Sequence, residues 1–263
     1  MTDSSSSLTA ALSDLAGVRR LLVALDFDGT LAPEVDSPEA ARALPEAREA
    51  VERLHALAST RVALVSGRAL DSLIHVSQAP DDVLLVGSHG IELRLDSPDD
   101  RLALDTAELE RVDVLREVLT RVADGIDEVW VESKPAGFAL HTRLATEENS
   151  RRAHLVALRE ATAELDDLTI RRGKNVLEFS VRSTTKGEAI EHLRRYTAAD
   201  AVLFAGDDVT DEDGFAALQP HDVGIKVGAG ETAAAHRVPG PVELAHALSG
   251  LASARAAVLS ARG

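Results

Sequence analysis

The 263-residue chain contains no cysteine. Disulfides, thiolate catalysis, iron–sulfur clusters and Cys-type zinc sites are excluded together, and a reducing compartment fits. Aromatics are scarce, with one Trp, one Tyr and five Phe. Ring stacking is therefore not expected to dominate ligand binding, and hydrogen bonds from charged side chains must carry specificity. The nine histidines include no HxxxH pair, which disfavours a His-type zinc site. Basic charge is in deficit: 28 Lys+Arg against 44 Asp+Glu give a net charge of −16. That charge repels phosphodiester backbones, so nucleic acid is not an expected partner. No apolar run reaches the length of a membrane span, and no basic amphipathic stretch offers a membrane contact. The opening MTDSSSSLTAALSDLAG lacks the basic and apolar regions of a signal peptide. These absences predict a soluble, cytoplasmic protein.

What remains is an ordinary globular balance, 45% hydrophobic and 27% charged, long enough for one large or two modest domains. Residues 21–27, 61–66 and 82–87 are near-continuous apolar runs, as buried parallel strands require. Helical patterns lie over 38–57, with Ser37 as N-cap, and from about 69; a short helix is expected over 8–16. The same alternation resumes with a helix at 186–196, a strand at 201–206, a helix at 210–217, a strand at 222–228 and a helix at 242–257. The expected class is α/β, a Rossmann-like parallel-sheet core. The middle differs: helix 106–123, strands 128–134 and 137–143, helix 146–164, strands 168–171 and 174–181. This reads as an α+β unit inserted over 105–182 into a discontinuous core of 1–104 and 183–263.

Ligands of open α/β sheets bind beyond the carboxyl ends of strands. The first strand ends in Asp26, Phe27, Asp28, Gly29 and Thr30. Two carboxylates so close repel unless a cation or proton lies between them, and Gly29 permits an unusual turn. Gly206 is followed by five acids within seven residues: Asp207, Asp208, Asp211, Glu212 and Asp213. Either they splay into water, or a hard divalent cation neutralises some of them. Ser66, Gly67 and Arg68 end the second strand, and Lys186 opens the helix after the insertion. A hydroxyl and an ammonium there can hold a transferring phosphoryl group.

In the inserted unit, Leu177, Phe179 and Val181 fall on one strand face, and Lys174, Glu178 and Ser180 on the other. Glu132 and Lys134 share a face of their strand, as do His141 and Arg143 of theirs. Only four of the 28 basic residues are lysine: Lys134, Lys174, Lys186 and Lys226.

The DxDGT signature, the strand-end Ser66, the helix-opening Lys186 and the acidic cluster, in that order, resemble the haloacid-dehalogenase-like phosphatases. SGR (66–68), GSHGIE (87–92), ESKPAGFALHTR (132–143) and GDDVTDED (206–213) are similar to the trehalose-6-phosphate phosphatase family within them. The likeness runs from about residue 20 to 250. It implies that Asp26 attacks phosphorus, that Asp28 is the acid and base, that Ser66 binds a phosphate oxygen and that Lys186 neutralises phosphate and Asp26. It implies Mg²⁺ on the Asp26 carboxylate, the Asp28 carbonyl and Asp207, with Asp208 and Asp211 as ligands or water-holding neighbours. Gly29, Thr30, Gly67, Arg68, His89 and Gly90 are candidates for substrate contact on the core. Glu132, Lys134, Gly173, Lys174 and Glu178 match positions that hold the distal glucose in the family, with His141 and Arg143 beside them.

The implied reaction is hydrolysis of trehalose 6-phosphate, with a functional link to a trehalose-6-phosphate synthase. Alternatives are phosphatase action on sucrose 6-phosphate or a glycosylglycerol phosphate, and a non-catalytic sugar-phosphate sensor. The intact set of Asp26, Asp28, Lys186 and Asp207 argues against a sensor. Family members often carry Arg-Pro two and three residues after the cap glutamate; here Ser180 and Val181 stand there, with Arg182 just beyond.

Overall fold

The computed structural model describes residues 2–35, 37–97, 104–173 and 175–262. The chain divides into two compact units, Met1–Arg101 with Thr184–Gly263, and Leu102–Ser183.

The first unit is built on β1 (Leu21–Leu25), which lies between β2 (Thr60–Val65) and β9 (Ala201–Gly206). Outward from β2 come β3 (Leu84–Gly87) and β4 (Glu92–Arg94); outward from β9 come β10 (Val223–Val227) and β11 (His236–Val238). Every pairing is parallel except β3 with β4. The apolar run of β1 is explained by burial on both faces. Leu21, Val23 and Leu25 join a core with residues of α1 (Thr2–Ala16), α2 (Pro45–His55), α3 (Leu70–Ser77) and α8 (Pro241–Arg262). Leu22 and Ala24 face the opposite core, with residues of α6 (Lys186–Thr197) and α7 (Asp211–Ala216). The register sets Leu25 level with Leu64 on one side and Ala205 on the other. The segments after β1, β2 and β9 therefore leave the sheet side by side.

Three expectations are corrected here. The helix expected over 38–57 is a single 3-10 turn at Pro38–Ala40 followed by α2, and Ser37 makes no side-chain cap. Pro45 restarts the helix: it lacks an N–H, and it drives Leu44 to an extended ψ of 142°. The first helix begins at Thr2 rather than near residue 8. The sheet also gains two edge strands, β4 and β11, each three residues long and too short to carry a periodic signal.

The second unit holds α4 (Thr106–Asp124), β5 (Trp130–Lys134), β6 (Gly137–His141), α5 (Glu147–Glu164), β7 (Thr169–Gly173) and β8 (Val176–Ser180). Its antiparallel sheet has the order β5-β6-β8-β7. Phe138, Leu140, Leu177 and Phe179 are buried on one face, and α4 packs on β5, β6 and α5. Asp105 and Glu108 start α4 with a reciprocal capping box. Glu108 also meets Arg182, whose guanidinium holds its carboxyl below the usual range. Arg111 donates to the carbonyl of Val181 at 3.1 Å. Both chain crossings of this unit are thereby tied together, with Arg182 in the tie.

Candidate active site

Asp26 directly follows β1 and is 4% exposed. It has the parity of Leu22 and Ala24, so it points to the side from which α6 starts. There Lys186 Nζ donates to Asp26 Oδ1 at 2.7 Å and to Asp211 Oδ1 at 2.6 Å. Lys186 is the first residue of α6, fixed by a Thr185–Glu188 capping box. Oxygens of Asp26, Asp207 and Asp211 lie within 4.8 Å of one another. Burial raises the Asp26 carboxyl to about 7; Asp211 and Asp207 add to this, and Lys186 partly offsets it. Burial likewise raises Asp207, with Asp211 beside it, although the Thr30 hydroxyl works the other way. Burial alone would lower the Lys186 ammonium, but Asp26 and Asp211 reverse this and raise it. This pocket resists three free negative charges. A hard divalent cation removes that conflict, and an all-oxygen donor set suits it.

The acidic loop sorts its members. Asp211 is fully buried; its Oδ2 accepts from the backbone N–H of Asp207 (3.0 Å) and Asp208 (2.9 Å). With Oδ1 on Lys186, both its oxygens are engaged. Asp208 is exposed, its carboxylate accepts from Val209 N at 2.7 Å, and it is not one of the three clustered carboxylates. Asp207 accepts from Thr30 Oγ1 at 3.0 Å. Thr30 is fully buried, so it orients a carboxylate rather than facing a ligand. Gly29 has φ +73°, and a Cβ there would sit 2.0 Å from Asp207 Oδ2. The glycine is needed for the turn and for that close approach.

Asp28 is gripped by Arg68, whose Nε and Nη2 donate to its two oxygens at 2.5 and 2.6 Å. Ser66 is buried and receives the Arg68 N–H at 3.2 Å. His89, at φ +57°, donates its N–H to the Ser66 carbonyl, and its ring lies where a Gly67 Cβ would meet it at 2.6 Å. Gly90 follows in the same turn and is buried.

In the inserted unit, the register places Glu132, Ala139, Glu178 and Arg171 in one row across the sheet. Glu132 meets Lys134 Nζ at 2.7 Å and His141 Nε2 at 2.7 Å. Burial opposes its charge, but these two neighbours hold Glu132 below the usual carboxylate range. The His141 ring stacks on Trp130 at 5.0 Å. Gly173 ends β7 opposite Val176. Lys174 lies outside the described residues. Arg143 does not share a strand face with His141, because β6 ends at His141. Buried Thr142 turns away to Ser150 (2.7 Å) and His154 (3.3 Å), leaving Arg143 exposed in the following turn.

Two groups escaped assignment from sequence. Glu92 accepts from Ser88 Oγ (2.7 Å) and Leu70 N (2.8 Å), pinning the turn that carries His89. Lys226, buried in β10, donates to the Asp207 carbonyl at 2.6 Å. A lone charge within an apolar strand was its signal.

Strand-end carboxylates on a mostly parallel sheet, a lysine opening the returning helix and an inserted α+β unit give this chain the fold of the haloacid-dehalogenase-type phosphatases. The family model described as trehalose-phosphatase matches residues 24–246, and the chain belongs to that family. A trehalose-phosphate phosphatase of Mycobacterium avium is 35% identical over 228 residues, covering 83% of this chain and 56% of that protein. A bifunctional trehalose-6-phosphate synthase/phosphatase of Thermoproteus tenax is 35% identical over 230 residues, covering 86% of this chain and 31% of that protein. The chain therefore spans only about a third to a little over half of these relatives' length. Among solved structures, the Aspergillus fumigatus trehalose-6-phosphate phosphatase is 26% identical with a TM-score of 0.67, covering 93% of this chain and 97% of that one. Among the described residues, no helix is long and apolar enough to cross a membrane.

Proposed function

We propose that the chain hydrolyses trehalose 6-phosphate to trehalose and phosphate, with Mg²⁺ as cofactor. The observation that carries this reading is the buried Asp26 between Lys186 and the two acidic-loop carboxylates. Asp26, Asp207 and the Asp28 carbonyl would hold the cation, with Asp211 close behind them. When bound, Mg²⁺ supplies positive charge to the phosphoryl oxygens and keeps Asp26 ionised.

An Asp26 oxygen attacks phosphorus, and the bond from phosphorus to the sugar oxygen breaks, leaving an aspartyl phosphate. Asp28 delivers its proton to the departing oxygen. It then takes a proton from water as that water attacks the aspartyl phosphate, which releases phosphate and restores Asp26. Arg68 occupies both Asp28 oxygens. Each proton transfer therefore follows exchange of that fork for an oxygen of substrate or water. Ser66 and Lys186 hold phosphate oxygens. Glu132, Lys134 and Glu178 read sugar hydroxyls, supported by their placement on one face of the inserted sheet. The residues 1–104 and 183–263 form the catalytic part, and 105–182 the sugar-reading part. The Thermoproteus tenax relative, which joins synthase to phosphatase in one chain, supports a functional link to a synthase. The absence of cysteine supports a cytoplasmic setting.

The test is phosphate release from trehalose 6-phosphate, sucrose 6-phosphate and glucose 6-phosphate, each with Mg²⁺ and with a chelator. Mg²⁺-dependent preference for trehalose 6-phosphate is expected. Preference for another sugar phosphate discards the reading of the inserted sheet, and absence of release from all three discards the chemistry.

A further inference from the structure

β10 is apolar except at Lys226, and all five of its residues are buried. We propose that Lys226 is a positioning residue that fixes the direction of Asp207 toward the divalent cation. This rests on the reading of Asp207 as a metal ligand.

An ammonium that is 4% exposed must have partners that compensate for lost water. Lys226 Nζ donates to the carbonyl of Asp207 at 2.6 Å and of Asp208 at 3.3 Å, and lies 3.4 Å from Glu212 Oε1. The N–H groups of the same two residues go to Asp211 Oδ2. The loop is thus held from two sides, its N–H groups by a carboxylate and its carbonyls by an ammonium. With the backbone fixed so, the Asp207 carboxylate lies against Gly29 and accepts from the Thr30 hydroxyl. Glu212 is anchored in turn, since its Oε2 accepts from Thr232 Oγ1 (3.2 Å) and Ala233 N (2.8 Å). An apolar residue at 226 removes the donor from both carbonyls and frees the loop to turn Asp207 away.

Charge and positioning predict opposite signs. Removing a positive charge beside a cation site strengthens attraction for the cation. Loss of a partner that orients a metal ligand weakens it, by about 10–100-fold. The sign of the change therefore separates the two.

The experiment is calorimetric titration of the metal-stripped protein with Mn²⁺, for wild type, K226M, K226Q and D207N, with circular dichroism to confirm folding. K226M is expected to bind Mn²⁺ at least about tenfold more weakly. K226Q, which keeps an N–H donor without the charge, should bind Mn²⁺ more tightly than K226M. At saturating trehalose 6-phosphate, kcat of K226M should fall with KM unchanged, and raising Mg²⁺ should recover part of it. Affinity in K226M equal to or tighter than wild type overturns the proposal. If K226M does not fold, K226A, which also removes the donor, decides by the same criterion. Wild type that binds no Mn²⁺, or D207N that binds like wild type, overturns the metal site itself and the role of Lys226 with it.

Discussion

Asp26 sits where burial opposes its own charge, and that conflict is measurable. Its carboxyl rises to about 7 in the folded chain, against an ordinary 3.8 when unfolded. Between those values the unfolded chain is ionised while the folded one keeps a proton. The folded state therefore binds more protons there, and stability falls as pH rises through the window. In chelator, wild type should lose about 3 kcal/mol relative to D26N between about pH 4 and about pH 7, read from urea midpoints. Excess Mg²⁺ above pH 7 should then stabilise wild type and not D26N, by linkage of binding to folding. Parallel pH profiles for the two proteins would remove the buried-charge account. D26N should also lack turnover while keeping the fold; substantial residual phosphatase activity removes Asp26 as nucleophile. At this scale the sequence was legible where placement is local: DxDGT and Ser66 follow strand ends and Lys186 opens a helix, as their flanks predict. The Arg68–Asp28 fork was not, because it joins residues 40 apart whose pairing depends on sheet register.

Elements were legible where their period was long and their flanks unambiguous. β1, β9 and α6 stand within a residue or two of expectation because burial on both faces, or a cap followed by helical spacing, leaves one solution. Pro45 broke an apparently continuous helix, and the three-residue edges β4 and β11 were invisible. Long-range ties between elements were equally hidden. Arg255 in α8 is fully buried and donates to Thr60 Oγ1 (2.7 Å) and to the carbonyls of Ser59 (2.7 Å) and Val18 (2.9 Å). It joins the end of α8 to the start of β2 and to the segment between α1 and β1. Burial lowers its pKa, with Arg262 adding to the effect. Arg255→Met leaves those carbonyls without donors and should cost about 3 kcal/mol. The urea midpoint should fall with an unchanged m value. A midpoint within error of wild type would show that water replaces the guanidinium without loss.

At the scale of the whole molecule, residues assigned to phosphoryl chemistry all belong to the discontinuous unit, and those assigned to sugar recognition all belong to the inserted one. Substrates that lack the sugar should therefore be blind to the inserted sheet. Glu178→Ala should raise KM for trehalose 6-phosphate by roughly tenfold to a hundredfold, the worth of a hydrogen bond to a charged group. KM for p-nitrophenyl phosphate should stay within about twofold, since that ester offers Glu178 no sugar hydroxyl. Equal effects on both substrates would end the division of labour. In the sequence the strand–helix alternation stops near 104 and resumes near 183, and the two compact units part near the same positions. The outward turn of Arg143 was not, since it depends on where Thr142 finds its partners.

The central strand also sets an order of events during synthesis. β1 pairs with β2 across a short stretch of chain, but its other neighbour begins at Ala201, opposite Leu21. A ribosome adds roughly 5–20 residues per second, so β1 waits many seconds with one edge unpaired. In that interval all four strands and both helices of the insertion emerge. The nascent chain must guard an apolar half-built sheet until β9 arrives to close it.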